Sequence, residues 1–369
     1  MLEIVSLVIL IYFLFLSLIL YQFSRQKEFH TAIYPPVKQS FSVIIAFKNE
    51  EQNLPLLINS LNKLAYPKEN FEIILVDDYS SDNGKKILQN ALSVPFLILN
   101  NQNDKKSSKK GALETGIKKA KHPFIITTDA DCEVNKYWLE EMNALYQKEK
   151  PKMILGPVKY KDNPDFLGQF QIFEFLSLQA FTSASLQLGY PFLSNGANLG
   201  FDKKSFFSLK AYDGNKHIAS GDDIFLLEKF RKAFPGKIAY LKSKKAIVTT
   251  QPQKNWKDLY QQKIRWASKT KNTDNYFGRF LTALIFLSNL AVLYLLIFFF
   301  SHPFLFATLL GIKLFIDFVL VKKSANFFKN TISYKYFLPA FFIYPFYMLV
   351  ILFGINRKKY SWKGNKYHT

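Results

Sequence analysis

The chain contains one cysteine, Cys132, among its 369 residues. A single thiol cannot form a disulfide within the chain, and it cannot supply the paired cysteines of a zinc site. This excludes a disulfide-stabilised scaffold and is compatible with a reducing compartment. Because Cys132 lies beside Asp131, we interpret it as a small packed side chain rather than as a nucleophile.

Acidic residues are also scarce. The chain has 28 Asp and Glu against 49 Lys and Arg, which gives a formal net charge of +21. A basic chain binds nucleic acid, an anionic membrane surface or an anionic substrate. The sequence has no nucleic-acid motif, and 49% of its residues are hydrophobic, so we expect a membrane protein with no nucleic-acid partner. The length is enough for one large domain plus membrane segments.

The first long apolar run is Ile4–Phe23, which carries no formal charge and is long enough to span a bilayer as a helix. Arg25 and Lys27 follow it, whereas the stub before it has no basic side chain. The positive-inside rule then places the amino terminus outside and the following residues in the cytoplasm. A cleaved signal peptide needs a basic start and a small-residue cleavage site, and neither is present. We therefore expect an uncleaved transmembrane anchor over residues 1–23.

A second apolar run, Phe280–Ile312, is too long for one span and is interrupted by a Ser-His-Pro sequence. It predicts two helices joined by a tight turn. The second helix continues through Lys313 and Asp317, and their i, i+4 spacing places them on one helix face as a potential ion pair.

The last apolar run, Tyr336–Asn356, contains two prolines and precedes a basic tail over residues 357–369. Three spanning helices within residues 278–356 would place this tail outside, against the positive-inside trend, and two would place it inside. In the second case one of these segments, either the one with the lysine–aspartate pair or the proline-interrupted one, is interfacial or re-entrant. We favour a cytoplasmic tail and leave the number of spans open.

Residues 24–277, between the membrane segments, are expected to form one cytoplasmic domain. Short β-branched and aromatic runs alternate there with stretches that have apolar residues at helical spacing, which predicts βαβ units and a mostly parallel sheet. Ligands of such sheets bind at the carboxyl ends of the strands. The predicted strands are Phe41–Phe47, Phe71–Val76, Phe96–Leu99 and Phe124–Thr127, and the predicted helices are Asn53–Leu64, Ile87–Leu92 and Lys110–Lys121.

Two acidic motifs follow predicted strands. Asp129 and Asp131 lie one residue apart beyond the fourth strand. Hard divalent cations such as Mg²⁺ take oxygen ligands and are shared with diphosphate oxygens, so this pair suits a metal that screens a departing nucleotide diphosphate. Alone, such a pair is also common in solvated loops. Asp77 and Asp78 follow the second strand, where they either form a turn or accept hydrogen bonds from a base or ribose.

Two more charged sets precede predicted or candidate helices. Lys109 and Lys110 lie just before a Gly-Ala helix start, where they either approach phosphates or form a solvated basic face. Asp222 and Asp223 belong to a Ser-Gly-Asp-Asp sequence before an apolar run. A carboxylate there either caps a helix or acts as a general base that takes a proton from an attacking hydroxyl. Spacing alone does not choose between these roles.

Gln262, Arg265 and Trp266 form a Q-x-x-R-W sequence close before a membrane segment. The first two are at i and i+3 and share a helix face. Arginine can bind phosphate with two hydrogen bonds, and tryptophan offers a stacking plane. The alternative is an arginine and tryptophan belt at the membrane surface. Upstream, Asn-Gly-Ala-Asn at 195–198 permits close backbone approach by a substrate, and the apolar stretch 165–190 suits an acceptor path, the membrane surface or ordinary core.

In this order, the sequences SVIIAFKNEEQNLPLLINSL, VDDYSSD, TTDAD, SGDD and QQKIRW resemble membrane-anchored family 2 glycosyltransferases over roughly residues 40–270. Placement of Q-x-x-R-W before membrane helices is similar to ceramide and hopanoid glycosyltransferases and to processive synthases of cellulose or poly-N-acetylglucosamine. The ending SWKGNKY resembles that of lipid-directed members. The resemblance implies the GT-A (nucleotide-diphospho-sugar transferase) fold, an α/β class with a mixed, mostly parallel sheet flanked by helices, joined here to transmembrane helices.

On the donor side, the resemblance implies that Asp77 and Asp78 contact the base and ribose and that Lys109 contacts the nucleotide. Asp129 and Asp131 would hold Mg²⁺ or Mn²⁺ on the diphosphate, with Asp129 also contacting the nucleotide sugar. One departure affects this side. The chain reads SKKGAL where a Gly-Lys pair is common, which weakens the role assigned to Lys109.

On the acceptor side, the resemblance implies that Asp223 is the catalytic base, with Asp222 beside it. Gln262, Arg265 and Trp266 would hold the diphosphate and close the acceptor site. The family inverts the anomeric carbon in a single displacement. The motif before the base reads Gly-Asp-Asp rather than the frequent Gly-Glu-Asp, which keeps the charge and shortens its reach.

These inferences predict an inverting, metal-dependent glycosyltransferase, a multi-pass protein of the cytoplasmic membrane with its catalytic domain in the cytoplasm. It would use a nucleotide-sugar donor and a lipid or glycan acceptor, in contact with membrane lipids. A processive polysaccharide synthase carries the same motifs, although three or four carboxy-terminal apolar segments are few for a channel. A non-catalytic scaffold, which the intact acidic motifs disfavour, and a basic surface binder are further alternatives.

Overall fold

The computed structural model describes residues 1–31, 33–102, 108–213, 221–270, 275–356, 359–362 and 365–368. Ser220 of the Ser-Gly-Asp-Asp sequence and the tail residues Arg357, Lys358 and Lys363 lie outside the described residues. The helices are α1 (Leu2–Arg25), α2 (Leu54–Asn62), α3 (Gly84–Ala91), α4 (Lys109–Lys119), α5 (Trp138–Glu149), α6 (Phe166–Gln187), α7 (Lys203–Ser208), α8 (Asp222–Ala233), α9 (Trp256–Thr270), α10 (Tyr276–Ile297), α11 (Pro303–Phe328) and α12 (Tyr334–Asn356). The strands are β1 (Phe41–Phe47), β2 (Phe71–Asp77), β3 (Phe96–Asn100), β4 (Phe124–Thr127), β5 (Met153–Leu155), β6 (Val158–Tyr160), β7 (Leu199–Asp202), β8 (Ile238–Tyr240), β9 (Val248–Thr250), β10 (Lys359–Trp362) and β11 (Asn365–His368).

The first half of the α/β domain between α1 and α10 forms as the sequence predicts. All four predicted strands are present and pair in parallel in the order β3-β2-β1-β4. Parallel neighbours need crossover connections, and α2, α3 and α4 supply them. Helix α4 approaches the sheet at Gly116, where a β-carbon would be only 2.7 Å from Cγ2 of Ile44. This close packing places Lys109, the first residue of α4, at the edge of the sheet.

The second half of the domain extends this sheet to seven strands. Strand β7 lies antiparallel between β4 and β5, and β8 pairs with β5 in parallel. The full order is β3-β2-β1-β4-β7-β5-β8, so only β7 runs against the others. Side chains alternate between two apolar cores, with Val43 and Ile45 in one and Ile44 in the other. The expected mixed, mostly parallel sheet flanked by helices is confirmed.

Four helices are long and apolar enough to cross a membrane in the described part of the chain: α1, α10, α11 and α12. The Ser-His-Pro break separates α10 from α11, as predicted. Three of them, α1, α10 and α11, pack against one another. Lys313 and Asp317 form the predicted ion pair at 2.8 Å, and the Tyr12 hydroxyl donates to Asp317 at 2.6 Å. A buried charge pair with an added hydrogen bond links α1 firmly to α11.

Helix α12 lies against the catalytic domain at both of its ends. Near its start, the ring of Tyr336 contacts that of Phe166 in α6, with centroids 5.6 Å apart. Near its end, a β-carbon on Gly354 would be 2.5 Å from the Tyr260 hydroxyl of α9. Beyond α12, strands β10 and β11 form an antiparallel hairpin, and β10 also lies against α9. Helix α12 and the hairpin therefore stay beside the catalytic domain.

Candidate active site

Asp77 and Asp78 lie at the carboxyl end of β2. Asp78 is buried, and its Oδ1 accepts hydrogen bonds from Asn101 Nδ2 at 2.6 Å and from the Ser108 N–H at 3.0 Å. Ser108 is the N-cap of α4, so this carboxylate connects the end of β2 to the helix that carries Lys109. Asp77 has a different local role, because its Oδ1 accepts the N–H of Ser80 at 2.9 Å and closes a turn.

The two loops after β1 and β2 support each other at this edge. Asn49 Oδ1 accepts the Ser81 N–H at 2.8 Å, and Asp82 Oδ2 accepts the Glu51 N–H at 2.8 Å. Asn49 and Tyr79 both have left-handed backbone conformations, with φ of 52° and 62°. For the bulky Tyr79 this is unusual, and such strain concentrates at functional sites. The loop geometry leaves its ring half exposed beside Asp78.

Lys109 lies at the centre of the carboxylate motifs. Its Nζ is 2.6 Å from Asp129 Oδ1. Burial alone would lower the pKa of Lys109, but the nearby carboxylates of Asp129, Asp222 and Asp223 outweigh this and raise the pKa well above its usual value. The ammonium is therefore held charged among three carboxylates. We call Lys109, Asp129, Asp222 and Asp223 the acidic cluster.

Gly196 forms the wall of the acidic cluster and is the feature that permits its tight packing. Its N–H donates to Asp223 Oδ2 at 3.3 Å, while Asp223 Oδ1 accepts the Ile224 N–H at 2.8 Å at the start of α8. A β-carbon at residue 196 would be 3.3 Å from Asp222 Oδ2 and 3.9 Å from Lys109 Nζ. Thr127 Oγ1 donates to the Gly196 carbonyl at 2.7 Å, which joins this wall to β4.

The Asn-Gly-Ala-Asn sequence thus contributes a backbone wall and a structural anchor. Asn198 is buried, and its amide nitrogen donates to the carbonyl oxygens of Pro157 and Ala246, both at 2.9 Å. Its Oδ1 accepts the indole N–H of Trp138 at 2.9 Å. Asn198 therefore binds three separate segments together and has no remaining donor for a substrate.

Tyr160 connects Asp131 to the Q-x-x-R-W helix. Its hydroxyl donates to Gln262 Oε1 at 3.4 Å. Burial raises the pKa of Tyr160, and Asp131 raises it further, whereas Arg265 acts in the opposite direction. Asp131 and Arg265 are therefore near enough to act on the Tyr160 hydroxyl, and Gln262 is in hydrogen-bond contact with it.

A second ion pair lies beneath the Q-x-x-R-W face of α9. Lys263 Nζ is 2.5 Å from Glu174 Oε2 in α6, and both side chains are largely buried. The same ammonium lies 4.3 Å from the centroid of the Trp266 ring. The hydroxyl of Tyr344 in α12 approaches Glu174 Oε1 at 3.5 Å. We call Glu174, Lys263 and Tyr344 the α6–α9 pair network; it fixes α9, and thereby Trp266, against α6 and α12.

Cys132 is fully buried, as the sequence predicts. Burial raises the pKa of its thiol, and the carboxylates of Asp131 and Asp129 raise it further. A thiol held protonated in this way is a poor nucleophile. Cys132 therefore packs behind the TTDAD motif and holds its backbone in place.

The carboxylate oxygens of Asp129 and Asp131 fit a cation that is shared with a bound diphosphate. Among the described residues, no group of three or more His, Cys, Asp or Glu side chains is arranged to hold a metal ion. Asp129 is a third exposed, but one of its oxygens is paired with Lys109. Mg²⁺ and Mn²⁺ need about six oxygen ligands, so Asp129 and Asp131 would leave most positions to other oxygens. A nucleotide diphosphate carries the oxygens required.

Several residues of this site are missed by motif analysis: Asn101, Tyr160, Glu174 and Lys263. Glu174 did carry a signal, because it is the only charged residue in the 22-residue helix α6. A lone carboxylate in an apolar helix needs a cationic partner when it is buried. The sequence does not say which lysine provides it, since Lys263 is far away in the chain.

The architecture is that of a nucleotide-diphospho-sugar transferase of the GT-A type. The structure is similar to a mannosyltransferase from Pyrobaculum calidifontis that was solved with GDP-Man and Mn²⁺, with a TM-score of 0.60. The two chains are 15% identical, and the match covers 96% of this chain and 99% of the other. At this identity the likeness establishes the fold.

Sequence comparison matches part of the chain to one family within this fold. Residues 42–206 match the model for "Glycosyl transferase family 2", and the chain carries a family 2 glycosyltransferase domain. The poly-beta-1,6-N-acetyl-D-glucosamine synthase of Staphylococcus epidermidis is 26% identical over 171 residues, which are 43% of this chain and 39% of that protein. The poly(ribitol-phosphate) beta-N-acetylglucosaminyltransferase TarS of Staphylococcus aureus is 28% identical over 119 residues, 32% of this chain and 21% of that protein. The chain thus spans about two fifths or less of the length of these relatives.

Proposed function

We propose that this protein is an inverting glycosyltransferase that moves a sugar from a nucleotide-diphosphate donor to a lipid or lipid-linked acceptor at the cytoplasmic face of the membrane. The observation that carries the proposal is the acidic cluster. One lysine and three carboxylates from α4, the end of β4 and the start of α8 meet at the carboxyl edge of the sheet, where ligands of such sheets bind.

On the donor side, Asp78 and the turn closed by Asp77 form the part of the edge nearest β2, where base and ribose would bind. Lys109 lies at Asp129 rather than at this end, so it suits the diphosphate better than the base. Arg265, whose charge acts on Tyr160, supplies a second cationic group for phosphate oxygens. Gln262 is oriented by Tyr160. These assignments place the nucleotide-sugar donor along the carboxyl edge of the sheet, from the end of β2 to α9.

In the transfer step, Asp223 acts as the general base. Its two carboxylate oxygens accept backbone N–H groups from Gly196 and Ile224, which fixes its orientation at the start of α8. An acceptor hydroxyl oxygen forms a bond to the anomeric carbon and loses its proton to Asp223. The bond between that carbon and the diphosphate oxygen breaks, and the electron pair leaves with the diphosphate. Asp222 adds negative charge beside Lys109 and keeps the ammonium in place.

Asp129 and Asp131 are the residues that would hold Mg²⁺ or Mn²⁺ beside the diphosphate. When bound, the metal neutralises the negative charge that develops on the leaving group. Lys109 and Arg265 contribute positive charge of the protein's own at the same place. The structurally similar mannosyltransferase was solved with Mn²⁺ and GDP-Man, which supports a metal-dependent donor site here.

The acceptor side faces the membrane helices. Trp266 is held by the α6–α9 pair network, and Tyr344 of that network belongs to the apolar helix α12. Helix α6 also packs against α1 and α11. These contacts support an acceptor that is a lipid and that approaches Asp223 from the direction of these helices.

We further propose that α1, α10 and α11 cross the membrane and that α12 lies in the interface on the cytoplasmic side. Both ends of α12 contact the catalytic domain, and β10 lies against α9. A helix that returns to the same domain at both ends does not cross the bilayer. The basic tail then remains inside, in agreement with the positive-inside rule.

The reaction is tested with detergent-purified protein, a panel of UDP- and GDP-sugars, Mg²⁺ or Mn²⁺, and extracted membrane lipids. We expect one glycolipid product that requires metal and is lost in Asp131→Ala. The control is Asp258→Ala, which removes an exposed carboxylate from α9. If calorimetry shows no metal-dependent binding of any nucleotide diphosphate, the proposal is wrong.

A processive polysaccharide synthase is the second candidate, because one of the similar proteins is a poly-beta-1,6-N-acetyl-D-glucosamine synthase. The proposed topology leaves three spanning helices in the described chain, which is a small number with which to surround a growing polymer. Product length separates the two functions. One added sugar on a lipid supports the first candidate, and a polymer supports the second.

The proposed topology has its own test. Cys132 is buried, so a cysteine appended after Thr369 would be the only reactive thiol. A membrane-impermeant maleimide should label it in inside-out vesicles and not in intact cells. Labelling in intact cells would place the tail outside and would require α12 to cross the membrane.

A further inference from the structure

A cavity of about 290 Å³ lies at the ends of α1 and α11 that the proposed topology places in the cytoplasm, apart from the acidic cluster. The segment just after α1, the turn at 243–245 and the residue just after α11 surround it. The cavity is next to the end of α1. Phe29, which lines the cavity, donates its N–H to the Lys242 carbonyl, and the Lys242 ammonium contacts the end of α1. The cavity therefore lies at the depth where lipid head groups meet the protein.

The cavity has charges of both signs. Lys244, Lys245 and Lys329 contribute three ammonium groups, and Glu28 and Glu141 contribute two carboxylates. Glu28 is already neutralised by Lys244, with Nζ 2.8 Å from Oε2. The cations that remain for a ligand are Lys245 and Lys329, since among the described residues neither has a carboxylate within ion-pair distance.

Glu141 is the unusual member of the lining. It is almost fully buried, and its Oε1 accepts the Tyr34 hydroxyl at 2.8 Å. Within the described part of the chain, its Oε2 has no hydrogen-bond partner. A buried carboxylate oxygen without a donor is costly. This oxygen has almost no exposed surface, so a ligand that brings N–H or O–H donors would relieve that cost once a lining side chain moves aside.

Lys245 and Lys329 lie on two different walls of the cavity. Lys245 Nζ is 3.3 Å from the Tyr34 hydroxyl and lies over the rings of Tyr34 and Tyr137. Lys329 follows α11 with φ of 54°, and its side chain is exposed. A phosphate between them would meet two ammonium groups at the membrane surface, where basic pockets bind anionic head groups.

We propose that this cavity is a binding site for a phospholipid head group that carries a phosphate and, beyond it, an N–H donor, of the phosphoethanolamine type. The phosphate would bind Lys245 and Lys329, and the ammonium would donate to Glu141. Mixed lining charges suit such a zwitterion better than a purely anionic group. The site is separate from the proposed transfer reaction, and its test does not depend on that reaction.

The test compares two phospholipids that share the phosphate and differ in the head-group amine, which carries N–H hydrogens in one and three methyl groups in the other. Native mass spectrometry of the detergent-purified full chain measures binding of phosphatidylethanolamine and phosphatidylcholine with the same acyl chains. Both have the phosphate, but only the first has N–H groups. We expect phosphatidylethanolamine to bind at least about 5-fold more tightly, in keeping with one hydrogen bond to a charged group. Equal binding of the two lipids would overturn the role of Glu141 and with it the proposal.

Variants locate the site. Lys245→Met with Lys329→Asn should reduce phosphatidylethanolamine binding about 10-fold or more, and asparagine is chosen because it tolerates the left-handed backbone at residue 329. Glu141→Gln should remove the preference between the two lipids. The control is Lys119→Met with Lys204→Asn, which removes two exposed lysines elsewhere. Unchanged binding in the first double variant, or an equal loss in the control, would contradict the proposal.

A lipid and a free metabolite could present the same head group, so free O-phosphoethanolamine is titrated by calorimetry. We expect no measurable binding at low millimolar concentration, because the acyl chains supply most of the binding free energy. Binding of the free compound as tight as that of the lipid would assign the cavity to a soluble ligand and overturn the lipid assignment.

Discussion

Two largely buried lysines, Lys109 and Lys263, show how differently the same kind of ion pair is used in this molecule. Lys109 lies 2.6 Å from Asp129, and Lys263 lies 2.5 Å from Glu174. Around Lys109 there are two additional carboxylates, Asp222 and Asp223. Around Lys263 the neighbours are the Trp266 ring and Tyr344. The distances are alike, but the charge balance is not.

The two sites differ in the number of carboxylates around the lysine. Three carboxylates of the acidic cluster act on one ammonium, and repulsion between carboxylates favours a positive group that enters such a site. The α6–α9 pair network is balanced and buried, so removal of either partner leaves an uncompensated charge. Loss of the first should affect chemistry, whereas loss of the second should affect stability and position.

The strongest test of this comparison is Asp223→Asn. The amide cannot take the proton of the acceptor, so transfer should fall by about 10²- to 10⁴-fold. Donor binding should remain, because the change removes no group assigned to the donor. Transfer rate and nucleotide affinity are measured together, and Asp258→Asn on α9 is the matched control. Full transfer activity in Asp223→Asn would mean that another group is the base.

The next largest effect is expected for Asp129→Asn. It removes a carboxylate from the acidic cluster, and with it the partner of Lys109. Nucleotide binding should become about 10- to 100-fold weaker in the presence of Mn²⁺, as charge-assisted contacts are lost. Affinity with and without Mn²⁺ is measured by calorimetry. The same metal dependence in variant and parent would show that Asp129 does not contribute to a metal site.

The α6–α9 pair network is tested by a double-mutant cycle. Lys263→Met or Glu174→Leu alone leaves one buried charge, which costs about 3 to 5 kcal/mol of unfolding free energy. The thermal unfolding midpoint should fall in each single variant and recover in part in Glu174→Leu with Lys263→Met. The control is Lys257→Met, an exposed lysine of the same helix.

A kinetic readout distinguishes positioning from general stabilisation in this cycle. If the network orients Trp266, the double variant should recover stability but keep a raised KM for the acceptor. Recovery of both stability and KM in the double variant would mean that the pair only stabilises the fold.

The sequence predicts the acidic cluster better than it predicts the α6–α9 pair network. The parallel strands β1 to β4 have continuous apolar runs, and each of the two acidic motifs lies directly after its strand, so their convergence follows from topology. The i, i+4 pair of Lys313 and Asp317 is also predictable, because both residues lie on one helix. The second half of the sheet is not, since β5 and β8 are only three residues long.

The features that the sequence does not predict depend on contacts between segments that are far apart in the chain. The reversed strand β7 between β4 and β5 depends on packing of the whole domain, and no local pattern marks its direction. Glu174 and Lys263 become neighbours only because α6 and α9 lie side by side. In the same way, the left-handed conformation of Tyr79 follows from the loop around it and not from its own preference. Sequence patterns locate the charged motifs, and the tertiary structure decides which of them meet.

Gly196→Ala tests how tightly the acidic cluster is packed. The new β-carbon would be 3.3 Å from Asp222 Oδ2, so the carboxylate or Lys109 must shift by a few tenths of an ångström. We expect kcat to fall about 3- to 30-fold, since small displacements of reacting groups are costly. Gly311→Ala is the control, because a β-carbon there meets no atom within 4 Å. Equal kcat values for both variants would show that the cluster tolerates movement.

Lys242 is a third buried lysine, and its ammonium contacts carbonyl oxygens rather than carboxylates. Its Nζ donates to the carbonyls of Phe23 and Gln26 at the end of α1. Burial lowers the pKa of Lys242 to about 8, with Lys323 acting in the same direction and Glu28 against it. In the unfolded chain the pKa is about 10.4. Between these two values the unfolded chain binds the proton and the folded protein does not.

The stability of the folded protein should therefore rise with pH from about 8 to about 10, relative to a variant without this amine. Lys242→Met supplies that variant. The thermal unfolding midpoint of the parent, measured against that of Lys242→Met, should increase across this window by a small amount. The parent protein keeps a proton on Lys242 in both states at pH 7, so the difference between the two midpoints should be flat below that pH. A difference that stays flat from pH 8 to pH 10 and falls only above about pH 10 would mean that Lys242 gains a carboxylate partner on folding and behaves as Lys109 does.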